Sequence, residues 1–189
     1  MGAVASVSLL PLLTCPDRCT GTCGKLCYAA KLSNLRPVVC TAYAINTALA
    51  IHRPELYWQG IVDAVRKVKW FRFHVSGDII NMEYLKQMIH IANTNQHCEI
   101  LCFTKRYEII NDYLEHGGSL PSNLHLLMSG WDQLIPTNPF HLPETNVILK
   151  GKEPQPNWTL CGGNCFNCAC HDTGCWTAQP GEIIAFHQH

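Results

Sequence analysis

Nine of the chain's 12 cysteines are packed into two short segments, four from Cys15 to Cys27 and five from Cys161 to Cys175, leaving Cys40, Cys98 and Cys102 between them. This spacing restricts the fold more than any other feature. A disulfide framework spreads its bridges through the chain to staple loops, whereas thiols gathered at two points suit metal or iron–sulfur ligation. Ligation needs reduced thiols. The apolar start MGAVASVSLLPLLTC has no basic region and is interrupted by Pro11, so the sequence predicts a reducing, cytoplasmic setting rather than secretion.

At 189 residues with 47% apolar side chains, the chain is long enough to bury a core without staples. One domain over 1–189 is expected, with a cysteine loop in 1–30, helices and βα units in 31–150 and the second cysteine segment in 158–178. Fourteen basic side chains balance fourteen acidic ones, so no net field draws the protein to nucleic acid or an anionic membrane. No run reaches the roughly 18 apolar residues of a membrane span. The expected partners are a small-molecule ligand or a redox partner.

Residues Val38 to Ile51 are apolar on nearly all sides, which predicts a buried helix, with Ser33 and Asn34 as caps and Cys40 in the core. Pro54 opens a second helix on which Trp58, Ile61, Val62, Val65 and Val68 recur at helical spacing. Strands and single helices then alternate. Phe71–Val75, Cys98–Phe103 and Leu124–Met128 read as strands, and Asn81 caps a helix carrying Met82, Leu85, Met88, Ile89 and Ala92. Tyr107, Ile110 and Leu114 mark another helix, stopped by Gly117-Gly118. Short strands are expected at Val147–Leu149 and Glu182–Phe186. Strands joined by single helices pair in parallel, so the predicted class is α/β, a partial (βα) barrel or an open parallel sheet with cysteine-rich segments at both ends.

In the first cysteine segment every gap is three residues: Cys15, Cys19, Cys23 and Cys27. Zinc knuckles pair thiolates as C-x₂-C, which this segment lacks, while thiolates grouped in a glycine-containing loop suit a [4Fe–4S] cubane. Zinc is the alternative. The second segment does hold a C-x₂-C pair, Cys165 and Cys168; with Cys161 and Cys175 it makes four ligands for a second cluster or a zinc ion, and Cys170 or His171 could replace a neighbour. Three strands run directly into polar groups: Ser76-Gly77-Asp78, Thr104-Lys105-Arg106 and Ser129-Gly130-Trp131-Asp132. In parallel α/β folds these carboxyl ends form one rim, where ligands bind. The plainer reading is that the glycines permit turns while Asp78 and Asp132 cap helices.

Cys27-Tyr28-Ala29, Phe71-Arg-Phe-His-Val-Ser-Gly-Asp78, Phe103-Thr-Lys-Arg106 and the late Cys175-Trp176 together resemble the phage-encoded gene product 88-like proteins. That family is itself similar to radical S-adenosylmethionine proteins, with cluster cysteines ahead of a (βα) half-barrel. The resemblance implies a [4Fe–4S] cluster on Cys15, Cys23 and Cys27. Cys19 is an addition to the pattern, able to close the iron that S-adenosylmethionine would otherwise occupy. The last gap is also three rather than two, and Tyr28 follows Cys27 rather than preceding it. If one iron stays open, Ser76, Gly77 and Asp78 are expected to receive the amino and carboxylate groups of S-adenosylmethionine or another small ligand. Lys105 and Asp132 would then address the substrate. If it is closed, the chain is a non-catalytic zinc- or cluster-binding structural or redox protein.

Overall fold

Seven strands lie in one open sheet in the order β1-β2-β3-β4-β5-β7-β6, and every neighbouring pair is parallel. The computed structural model describes residues 4–19, 21, 23–132 and 134–188. In chain order the elements are β1 Ala5–Val7, α1 Tyr28–Leu35, α2 Pro37–His52, α3 Pro54–Val65, β2 Trp70–Phe73, α4 Met82–Thr94 and β3 Glu99–Thr104. There follow α5 Tyr107–Glu115, β4 Leu124–Ser129, β5 Glu144–Ile148, β6 Thr159–Leu160, α6 Cys165–Cys170 and β7 Ile183–His187. The predicted strands and helices are found within a few residues of their expected bounds, and Asn81 caps α4 by accepting from the Tyr84 N–H.

The two faces of the sheet are covered differently. On one, Phe71, Phe73, Ile100, Cys102, Leu124, Leu126 and Met128 pack against α3, α4 and α5. The apolar stripe of α4 (Leu85, Met88, Ile89, Ile91, Ala92) is buried there, each large side chain contributing about 1.5–3 kcal/mol. On the other face, Leu101, Leu127 and Ile184 carry the late cysteine segment, with Ala169, Cys175 and Trp176 closing over them. Trp70 meets Phe166 edge-on at 5.6 Å, and Trp176 stands over His125 while its indole N–H donates to the Cys165 carbonyl.

Three expectations fail. Helix α2 is not buried: Thr47 is its only buried residue, and Val38 is 83% exposed. Its apolar composition has no periodicity to pick out an inward face, and it leans on the rest of the fold through the Thr47 hydroxyl, which accepts from the Leu10 N–H at 2.8 Å. Cys40, on the same helix, is half-buried rather than core. Ser33 and Asn34 fall in the last turn of α1 instead of capping the next helix, because Pro37 at the first turn of α2 sets that start.

Strand β2 ends at Phe73, and the next residue, His74, turns left-handed (φ 60°). The flip carries the imidazole to the helix face, where it is buried and lies 2.9 Å from the Tyr84 hydroxyl, itself 2.5 Å from the Tyr57 hydroxyl. Burial, with the Arg72 charge adding to it, pushes the His74 pKa down to about 3, so the ring is neutral.

Candidate metal centre

The first cysteine loop leaves β1 and folds across the carboxyl ends of β2 and β3. Leu9 N donates to the Ser76 carbonyl, Asp78 N donates to Thr14 Oγ1, and the Arg106 guanidinium donates to the Thr14 carbonyl. Arg18 pairs with Glu108 on α5 at 2.5 Å and stacks over the Tyr107 ring. Gly77 makes this docking possible: it has φ +81°, and a Cβ there would stand 2.5 Å from Thr14 Oγ1 and 2.7 Å from Leu9 Cβ. The space beside Gly77 is therefore filled by the loop.

None of the 12 cysteines is in a disulfide. Within the loop, Cys15 feels the charges of Cys23, Cys27 and Asp78, and its pKa is pushed up to about 11, chiefly by burial. Cys19 is 2% exposed; a hydrogen bond with Cys23, then burial, drive its thiol far above the ordinary range, against the pull of Lys105. Thus Cys15 lies within electrostatic reach of Cys19, Cys23, Cys27 and Asp78, and Cys19 within reach of Lys105. Cys27 caps α1, and Tyr28, the first residue of that helix, donates its hydroxyl to the Val75 carbonyl.

The strand-end residues do different things. Asp78 is buried and accepts from Thr104 Oγ1 (2.6 Å), Ile79 N (2.8 Å) and Lys105 N (2.8 Å), which ties the ends of β2 and β3 together. Burial raises its pKa, and these bonds act against the rise. Lys105 Nζ reaches across to Ser129 Oγ at 2.7 Å. Ser76 is 4% exposed, with a hydroxyl that has no hydrogen-bond partner among the described residues. Asp132 is apart from this group. It is exposed, has φ 49°, and lines a separate groove of about 360 Å³ with Glu144, Asn146, Lys152, Glu153 and Trp158.

In the second segment Cys161 and Cys175 each feel Cys165, Cys168 and Arg72; burial raises both thiols, Cys175 the further. Arg72 projects from β2, stacks on Phe103 and donates to Cys165 Sγ at 3.4 Å. Cys170 is exposed. Tyr28 lies within the electrostatic reach of Cys27 and Cys165 alike, as well as Arg72. A single tetrahedral ion holds thiolates at about 2.3 Å. Among the described residues no group of three or more His, Cys, Asp or Glu side chains is set to hold one ion.

Sequence reasoning missed Arg72, Thr104 and Tyr28 as structural partners of the site. A signal was present for Arg72, because a cation between Phe71 and Phe73 in an apolar strand requires a reason.

A protein-family model described as Gene product 88 matches residues 3–163, which takes in the first cysteine loop and the sheet as far as β6 but stops before Cys165, Cys168 and Cys175. No curated protein and no solved structure matches the chain.

Proposed function

The chain belongs to the gene product 88 family, and from that premise we propose that it is an iron–sulfur protein whose first loop holds a [4Fe–4S] cluster. Cys15, Cys23 and Cys27 are the ligands, with Cys19 placed to be a fourth. One observation carries the reading: in the x₃-spaced loop Cys15 lies within electrostatic reach of Cys19, Cys23 and Cys27, and Cys19 within reach of Lys105. Bringing thiolates together is unfavourable unless a positive centre compensates their charge. A bound cluster supplies one-electron transfer. Lys105 offsets negative charge at the loop, and the Cys27 cap presents the first turn of α1 to it.

Cys161, Cys165, Cys168 and Cys175 form the second centre in this reading. Arg72, donating to Cys165 Sγ, steadies a thiolate there. Zinc is the competing occupant, favoured by the Cys165-x₂-Cys168 pair at the start of a short helix.

The proposal stops at cluster binding and electron transfer. S-adenosylmethionine fits the Ser76-Gly77-Asp78 element poorly, because three hydrogen bonds engage Asp78 and the space at Gly77 is taken by Leu9 and Thr14.

Anaerobic purification followed by iron, sulfide and zinc analysis with a visible spectrum tests the reading. Brown absorbance and acid-labile sulfide are expected, with loss of most of the first site's iron in Cys23→Ala. Stoichiometric zinc without sulfide overturns it.

A further inference from the structure

On the face of the sheet that carries the late cysteine segment, three polar side chains stand in a row where β3 and β4 end and β5 begins. Lys105 directly follows β3, Ser129 ends β4, and Thr145 of β5 is the paired neighbour of Ser129. Paired residues on parallel strands share a face. Ser129 is two residues from Leu127, and Thr145 is level with Ile184, both beneath the cysteine segment. Lys105 Nζ donates to Ser129 Oγ at 2.7 Å. Beyond it, Thr145 is 1% exposed and its hydroxyl has no hydrogen-bond partner among the described residues.

A buried hydroxyl left unbonded is costly, and native structures seldom keep one without an occupant nearby. The Lys105 ammonium, which also lies within reach of the Cys19 thiol, has charge to offer an anion at Ser129 as well. No described carboxylate forms an ion pair with its ammonium, and the nearby Asp78 already accepts from Thr104, Ile79 and the Lys105 backbone. An ammonium and two hydroxyls in line make a receptor for an oxyanion: the cation supplies the charge, and each hydroxyl has a proton to donate.

We propose that Lys105, Ser129 and Thr145 bind the carboxylate or phosphoryl group of a small anionic ligand at the strand-end rim. This deepens the reading of that rim as the edge facing the first cysteine loop, since it names the ligand's chemical class, but binding of the anion does not itself require a cluster.

The test is a nuclear magnetic resonance titration of the full chain with inorganic phosphate and, separately, acetate, each against chloride at matched ionic strength. Saturable shifts at the Ser129 and Thr145 amides are expected with at least one probe, and the tighter probe identifies phosphoryl or carboxylate as the preferred group. Lys105→Met should weaken that probe by about tenfold or more, while Lys86→Met, on the exposed side of α4, leaves it unchanged. Thr145→Val keeps shape and removes the unbonded hydroxyl, so it should weaken the probe several-fold while raising the thermal midpoint. That variant decides the matter if Lys105→Met fails to fold. Shifts that merely follow ionic strength in chloride, or undiminished affinity in Thr145→Val, overturn the proposal. Iron and sulfide are assayed on the same samples: probe binding without sulfide keeps this inference and removes the cluster reading, and sulfide without probe binding does the reverse.

Discussion

Asp78 and Thr104 are joined by a 2.6 Å hydrogen bond across the ends of two adjacent strands, in a place where the side chains have almost no contact with water. Two backbone N–H groups complete the carboxylate's shell. Asp78→Ala should lower unfolding free energy by roughly 3 kcal/mol, because it strands buried donors, and Asp78→Asn by about 1–2 kcal/mol, because an amide keeps only part of the accepting capacity. Urea denaturation checks both. Values within about 0.5 kcal/mol of wild type would mean that the tie is not structural.

Gly77→Ala tests the docking of the cysteine loop. The new methyl meets Thr14 and Leu9 and the residue must hold φ +81°, so a loss of about 2–4 kcal/mol is expected. Proteolysis between Cys15 and Cys27 should accelerate in the same variant if the loop lifts. An unchanged cleavage rate would show that the loop is held elsewhere.

His74 should make the protein acid-sensitive in a defined window. Its folded pKa of about 3 lies below the ordinary 6.5, so the unfolded chain takes up a proton that the folded one refuses. Stability from this group is complete above pH 6.5 and is lost as pH falls from there toward 3, at about 1.4 kcal/mol per unit. Equilibrium unfolding of wild type and His74→Gln at pH 7 and pH 5 isolates the effect as a difference in slope. Parallel slopes would contradict it.

Val38→Glu should be neutral or stabilising by a few tenths of a kcal/mol, since Val38 is 83% exposed in the first turn of α2 and a carboxylate there suits the helix dipole. Thr47→Val, by contrast, removes the acceptor for Leu10 N and should cost about 1–2 kcal/mol. Thermal melts of the pair suffice. A severe loss in Val38→Glu would mean that this helix is covered in solution.

The parallel α/β layout was legible because strands such as Leu124–Ser129 are apolar runs of strand length bounded by turn residues, and Asn81 lies where a capping side chain should. Burial of α2 was not legible: Val38 and Thr47 look equally ordinary in an apolar run, and only tertiary packing separates them. The three-residue strand β1 is too short for a pattern to show. Nearness of the first cysteine loop to the strand ends followed from topology, whereas the spending of Asp78 on Thr104 and Lys105 depended on side-chain geometry that no spacing encodes. Asp132 was grouped with Lys105 because both follow strands directly; a left-handed backbone at Asp132 sends it into a different groove.

The last strand of the chain, β7, is inserted between β5 and β6. During synthesis, therefore, Thr159 and Leu160 emerge before their hydrogen-bonding neighbour exists. β6 is paired with β7 alone, so it joins the sheet only after Ile183–His187 has lined up beside β5. Until that moment residues 161–182, with five of the chain's cysteines, have neither flanking strand in the sheet. β7 therefore secures this segment from both sides at once, through β5 on one edge and β6 on the other, while Cys170 stays exposed.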